Sequence, residues 1–441
     1  MVEGSAAAWF GAPGFSVLSV ADDGVELVVE VETEATVVGC STCGTRARAK
    51  DRRWVSLRDA PTGDRAVRVR WRKRIWSCPD RDCPARTWTE QADLAAPRHV
   101  LTGRAQRWAT DRLAALEGST ASIARGFGVS WPTVWAAVER VGGARVDAPD
   151  RVGVTTMIGF DETVMQPAHR RRRRRFVTAV VDVETSQILD VFEGRDAKDL
   201  RQWLAARPAE WLAQLEVVSV DPHEGYRSAI VRPDPTTGVR LLDGVTIVVD
   251  PFHVVRLANQ AVTRCRQRTQ QATLDHRGWK GDALYDIRKL LLVGAERLDA
   301  AAWARLRAGL NAGDPLDHVA DAWTAKEKVR DVYKATATDA PAVLDDAIAW
   351  CREPEAGPEL RTLAKTLQHW RAEILAHHTT GASNGPVEAA NLLIKQVKRS
   401  GRGFRNTANY RLRILLAGGR HPTRDNHPVT SIRTRRPRLV A

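Results

Sequence analysis

Apolar and polar positions change rhythm several times along this chain. Residues 15–39 contain VELVVEVETEATVV, where apolar and acidic side chains alternate, the period-two pattern of two short strands. Residues 66–76, AVRVRWRKRIW, alternate again and put Arg68, Arg70, Arg72 and Arg74 on one strand face. From 101 to 141 the period becomes helical. One helix fits LTGRAQRWATDRLAALEG, and two fit STASIARGFGVSWPTVWAAVERVG, the second starting near Ser130. Residues 142–152, GGARVDAPDRV, read as a Gly/Pro-containing linker.

An α/β pattern follows. TTMIGF (155–160) is a short strand ending at Asp161-Glu162, and FVTAVVDV (176–183) with QILDVFEG (187–194) reads as a hairpin. Residues 196–213 form an amphipathic helix. LEVVSV (215–220) is a strand ending at Asp221, with a helix starting near His223, and VTIVVD (245–250) is a strand ending at Asp250. Residues 254–380 are helical in pattern nearly throughout. The last strong element is a helix in SNGPVEAANLLIKQVKRSGRGFRN (383–406), capped by Ser383 or Asn384, with Pro386 in its first turn and Gly401 and Gly403 at its end. At about 100° per residue, Asn384, Glu388, Asn391, Lys395 and Lys398 share one stripe and Val387, Ala390, Ile394 and Val397 another. A lone carboxylate beside amides and cations suits a metal ion bound next to a phosphate.

Composition narrows the function classes. The 441 residues allow two or more domains, and 67 basic against 53 acidic residues give a net charge of +14, which favours a polyanionic partner. Six cysteines do not make a disulfide scaffold, no signal peptide is recognisable at the start, and no apolar run reaches a membrane span. The expectation is a soluble, cytoplasmic protein with no membrane partner. Cys40-x2-Cys43 and Cys78-x4-Cys83 flank a strand-rich segment, so four thiolates can hold one Zn²⁺ in a zinc ribbon. Four like charges along residues 68–74 repel one another unless an anion neutralises them, which favours phosphate contact over a merely solvated face. Ile123, Ala124, Gly128, Val129, Val134, Trp135 and Val138 fit a helix-turn-helix, whose second helix would present Ser130, Trp131 and Thr133 to base edges. A plain helical hairpin is the simpler alternative.

Ser383, Asn384, Gly385, Glu388, Asn391 and Lys395, then Gly403-Phe404, resemble the last block of the insertion-sequence DDE transposases of the L-three family. The other blocks stand in the matching order: zinc ribbon, helix-turn-helix, GFDE around Asp161, Asp221, and Asp250-Pro251-Phe252-His253. The resemblance implies a ribonuclease-H-like α/β domain in which the first and fourth strands pair, bringing Asp161 and Asp221 side by side with Glu388. Such a triad is expected to hold two Mg²⁺ or Mn²⁺ ions about 3.5–4 Å apart. Glu162 faces away if its strand continues, and buried hydrogen bonding is the expected task of Asp250 and His253.

The implied activity is binding to the terminal inverted repeats of an element, cleavage of double-stranded DNA, and joining of the 3′ end to target DNA, by a homo-oligomer on the nucleoid. A DNA-binding regulator that no longer cuts is the alternative. Further DNA contacts are expected from Arg171, Arg172 and Arg173 within the run Arg170 to Arg175, and from Asn391, Lys395 and Lys398. The expected domains are a zinc ribbon (1–95), a helix-turn-helix (96–150), a catalytic domain (151–253 with 381–419), a helical insertion (254–380) and a basic tail (420–441).

Overall fold

A computed structural model describes residues 10–419 apart from Ala35, Arg172 and Thr236. The basic tail therefore lies outside the described residues. The chain divides into two compact units, residues 1–151 with 396–441 and residues 152–395.

In the first unit, β1 (Phe15–Asp22) and β2 (Glu26–Thr33) are the two expected strands, and they pair antiparallel. β3 (Arg48–Thr62) and β4 (Arg65–Ser77) form a long hairpin, and β5 (Thr87–Thr89) pairs with the end of β4. The sheet order is β1-β2-β4-β3, with β2 and β4 parallel. The period-two pattern of β4 sorts its side chains. Val67, Val69 and Trp71 join Phe15, Val29, Val31 and Leu57 in a core, while Arg68, Arg70 and Arg72 face the other way. Three helices follow: α1 (Gly103–Ala114), α2 (Thr120–Phe127) and α3 (Trp131–Val146). Ser119 and Ser122 form a capping box at the start of α2, and Gly128 turns the chain with a left-handed φ of 64°.

The Gly/Pro content of 142–152 predicts a linker from residue 142, but α3 continues to Val146. The glycine there serves a helix crossing: a Cβ on Gly142 would lie 2.9 Å from Leu416 of a helix near the chain's end.

The second unit is built on a five-stranded sheet. Its strands are β6 (Met157–Gln166), β7 (Arg175–Asp182), β8 (Ile188–Glu193), β9 (Val217–Val220) and β10 (Thr246–Val249), in the order β10-β9-β6-β7-β8. β6, β7 and β8 are antiparallel, whereas β6 is parallel to β9 and β9 to β10. β9 is buried along its whole length, which explains its three valines; the one polar residue, Ser219, is buried with them. Two expectations change here. β6 does not stop at Asp161-Glu162 but pairs with β7 through both and beyond, Asp161 opposite Ala179 and Glu162 opposite Thr178. The helix expected over 196–213 is two, α4 (Ala197–Ala205) and α5 (Ala209–Leu212), because Pro208 has no N–H to continue the first. α6 (Glu224–Val231) follows β9, with His223 at its N-cap as expected.

Helices fill residues 251–380: α7 (Pro251–Leu274), α8 (Ala283–Asp286), α9 (Ala300–Gly313), α10 (His318–Val332), α11 (Ala340–Trp350), α12 (Pro358–His369) and α13 (Arg371–Thr380). Their apolar faces share one core with the sheet, from Ile158 and Phe160 through Val262 to Leu363 and Ile374. Cys265 and Cys351 are buried there as ordinary packing residues. α14 (Gly385–Ser400) follows, with Val387, Ala390, Ile394 and Val397 all buried as its stripe predicts. The boundary between the two units falls inside α14, between Lys395 and Gln396. Residues 396–419 thus belong with the first unit, where α15 (Thr407–Gly418) packs on α1 and α3. Among the described residues no helix is long and apolar enough to cross a membrane.

Candidate active site and zinc centre

Parallel pairing sets the site. Phe160 of β6 and Val220 of β9 are register partners, so the next residues, Asp161 and Asp221, leave corresponding positions on neighbouring strands. Asp161 is mostly buried, and its carboxyl is pushed up to about 7, first by burial and then by the charges of Asp221 and Glu162. α14 supplies the remaining groups. It approaches β6 at Gly159, where a Cβ would lie 2.4 Å from Val387 and 3.2 Å from Asn384. Only glycine admits that contact without a shift.

The amides of α14 then reach the aspartates. Asn384 Nδ2 donates to Asp221 at 3.3 Å, and Asn391 Nδ2 donates to Asp161. Each amide is held in turn: Thr163 Oγ1 donates to Asn391 Oδ1 at 2.7 Å, and Ser219 Oγ donates to Asn384 Oδ1 at 3.4 Å. Asp250 accepts the Asn384 backbone N–H at 2.8 Å and caps α7 through the His253 N–H. His253 lies between two carboxylates, Nδ1 2.8 Å from Asp221 and Nε2 3.7 Å from Glu388. Burial works against its positive charge, but the Asp221 contact outweighs it and the imidazole pKa is raised. Glu388 is the most open of the three acids, with a side chain 45% exposed. Arg256 stands 3.9 Å from Asp221.

Glu162 is turned to other partners. Its carboxylate accepts from Tyr226 Oη at 3.2 Å and lies 4.0 Å from Arg195. Asn391, expected to touch DNA, is buried, with its amide oxygen accepting from Thr163 and its amide nitrogen donating to Asp161. Thr163 and His253 complete the site. Thr163 has an i+2 spacing to Asp161 on one strand face, whereas His253 is marked only by the Asp250-Pro251-Phe252-His253 block and is buried against Asp221 as expected.

The cysteines form a second centre. Cys40 and Cys83 sulfurs are 3.8 Å apart, Cys43 and Cys78 3.5 Å, and all four lie within 4.8 Å of one another. A tetrahedral ion with Zn–S bonds of about 2.3 Å requires sulfurs about 3.8 Å apart, so the donor set fits zinc. Among the described residues this is the one group of three or more such side chains close enough to share an ion. Backbone N–H groups of Thr42 and Cys43 lower the Cys40 thiol to about 6, favouring the thiolate, while burial pushes Cys78 up to about 12. A metal ion would supply the charge that Cys78 needs to ionise.

The arginines of β4 do share a face, but they are paired within the sheet. Arg68 meets Glu26, Arg70 lies 2.6 Å from Glu30, and Arg72 and Arg74 lie 3.6 and 2.7 Å from Glu32. Parallel neighbour β2 therefore supplies the anions, and like-charge repulsion no longer argues for phosphate. Ser130 and Trp131 are exposed at the start of α3, and Thr133, half-buried, has its hydroxyl 2.9 Å from that of Ser130. Arg171 and Arg173 are exposed in the β6–β7 turn; Arg172 lies outside the described residues. Lys395 is exposed and Lys398 half-buried.

A family model described as "Transposase" matches residues 158–414, more than half of the chain. The chain belongs to transposase family ISL3. Two further models agree in order and place: the zinc-finger of transposase IS204/IS1001/IS1096/IS1165 at residues 36–83, and the helix-turn-helix domain of transposase family ISL3 at residues 90–142. The chain is 27% identical to the transposase for insertion sequence element IS1557 of Mycobacterium tuberculosis, over 93% of this chain and 94% of that protein. It is also 27% identical to the transposase for insertion sequence element IS1001 of Bordetella parapertussis, over 90% and 92%. This family member is thus an enzyme acting on DNA, with a zinc ribbon and a helix-turn-helix ahead of its transposase domain.

Proposed function

We propose that this protein is a DDE transposase whose ribonuclease-H-like domain is interrupted by the helices of residues 254–380. Asp161, Asp221 and Glu388 are its catalytic carboxylates, and they hold Mg²⁺ or Mn²⁺. The observation that carries this reading is the parallel register of β6 and β9, which sets Asp161 beside Asp221 under the amides of α14. Hard carboxylate oxygens suit these ions, and Asp161, its carboxyl raised first by burial and then by the charges of Asp221 and Glu162, is a group that a bound cation would help to ionise. When bound, the ions supply an acidified water or DNA 3′-hydroxyl and offset charge on the leaving oxygen. The chain's own residues do the rest. Asn384 and Asn391 orient Asp221 and Asp161, His253 spaces Asp221 from Glu388, and Lys395 stands exposed about two turns beyond Glu388 to meet a phosphate.

In this reading the zinc ribbon and helix-turn-helix bind the terminal inverted repeats of the element. Two ends processed together would occupy two sets of carboxylates, so a homo-oligomer on DNA is expected.

The test is cleavage and joining of synthetic duplexes carrying the element's ends, with Mg²⁺ present. Asp161→Asn, Asp221→Asn and Glu388→Gln should bind the duplex and neither cut nor join it, while Glu162→Gln keeps substantial activity. A parent protein that binds the ends but never cuts would make it a regulator. Near-parental joining by Glu388→Gln would remove that residue from the triad.

A further inference from the structure

A cavity of about 480 Å³ in the first unit is lined by the start of α2 (Ser119 to Ala121), by Trp131 and Trp135 of α3, and by residues 400–413. We propose that it binds a backbone phosphate of DNA. The proposal rests on the reading that the helix-turn-helix binds the element's ends, which a parent protein without affinity for the duplex would overturn by itself; it is independent of cutting and would hold for a protein that never cuts.

The lining asks for an anion. Arg413 is only 2% exposed, and its Nε and Nη2 find no hydrogen-bond partner among the described residues. Trp135 Nε1, also buried, has none either. Both groups only donate, so the missing partner must accept. Arg125, Arg402 and Arg405 line the same cavity, and among the described residues no Asp or Glu does. A neutral acceptor would leave a buried guanidinium uncompensated, which is costly; an anion would not. The N-terminus of α2 adds the positive end of a helix dipole. Burial lowers the Arg413 guanidinium to about 10, so it remains charged at neutral pH.

Two features make that anion a DNA phosphate. The cavity is larger than a bare phosphate needs and admits a nucleotide. Trp131, 56% exposed at the start of the helix expected to read base edges, offers a ring against which a sugar or base can stack. A phosphate held here would fix the register of that helix on the duplex, which is what backbone contacts do in DNA recognition.

The experiment is fluorescence anisotropy with full-length protein and a duplex bearing the terminal repeat, over a series of salt concentrations. Arg413→Met removes a buried unpaired charge, so the folded variant should melt no lower than the parent. Its affinity should fall about ten- to a hundredfold, as expected for a lost charge-assisted hydrogen bond. The slope of log affinity against log salt should shrink by about 0.9. Trp135→Phe removes one N–H and keeps most of the ring packing, and Arg402→Gln removes one charge; both should weaken binding several-fold. A folded Arg413→Met with parental affinity and slope overturns the proposal. If Arg413→Met does not fold, parental affinity in both other variants overturns it. Inorganic phosphate that raises the melting temperature of the parent but not of Arg413→Met, with equal duplex affinity in both, would assign the cavity to a free anion and also overturn it.

Discussion

Asn384, the residue before α14, and Asn391 within it stand about two turns apart, and each donates its side-chain N–H to a different aspartate of the sheet edge. One helix thereby holds Asp221 and Asp161 through a matched pair of amides. Asn384 is fully buried and Asn391 5% exposed, so neither can turn to water if its partner is lost. Asn384→Ala should lower stability by about 1–3 kcal/mol, because it leaves the buried Ser219 hydroxyl of β9 without its acceptor and Asp221 without that donor. Urea unfolding followed by circular dichroism measures this. Asn391→Ala should bind DNA normally and lose most strand transfer, since Asp161 then loses its positioning contact.

Asp161 itself gives a pH-dependent prediction. Its folded-state carboxyl sits near about 7 against an ordinary value of 3.8, so the native protein holds that proton more tightly than the unfolded chain does. Stability is therefore lost as pH rises from about 4 through 7. Asp161→Asn removes that loss. In chelator-treated protein the variant should melt higher than the parent at about pH 8 and at the same temperature at about pH 4. Mg²⁺ should raise the melting temperature of the parent at about pH 8 and leave the variant nearly unmoved. Equal melting at both pH values would mean that Asp161 is not crowded.

Gly159 predicts a steric coupling. A methyl group there would sit 2.4 Å from Val387 Cγ2, so Gly159→Ala must push α14 away from β6. The expected cost is about 1–3 kcal/mol, with a larger loss in joining activity. Val387→Ala removes the opposing atoms and should recover part of both in the double variant, a non-additivity that a double-mutant cycle reads directly. Strictly additive losses would show that the two residues do not meet.

The zinc centre predicts metal content. Protein purified without chelator should carry one equivalent of zinc, by elemental analysis. Cys40→Ser with Cys43→Ser should abolish it and loosen the segment around β4 and β5, because zinc sites stabilise small domains outright. Zinc content unchanged in that variant would refute the assignment.

Much of this architecture is legible in the residues, for identifiable reasons. Strands β7, β9 and β10 are mostly apolar, β7 and β9 each holding a single hydroxyl residue inside the run, and polar residues close them, so their places follow from pattern alone. Glu388 is legible because helical periodicity isolates it on a polar stripe. The pairing of β6 with β9 is not, since periodicity gives no strand order; it came from the family resemblance, and the register bears it out. The arginines of β4 misled for a related reason. Their alternation shows that they share a face, but their partners lie about 40 residues earlier on a strand whose parallel neighbourhood no local pattern reveals. Gly142 misled because a glycine pair signals a linker as readily as a close helix crossing.

That arginine–glutamate ladder has a consequence for how DNA first finds the protein. A row of fixed cations attracts a phosphate backbone from a Debye length away, whereas a row of close ion pairs is a row of dipoles whose field dies within a few ångströms. The β4 face therefore contributes less to capture than its composition suggests. Long-range attraction falls to cations without a carboxylate beside them. Arg170, Arg171, Arg173 and Arg174 qualify, being exposed and in no ion pair among the described residues. The two sets should separate kinetically: neutralising the turn arginines slows association, while neutralising Arg70 with Glu30 together leaves the association rate near that of the parent.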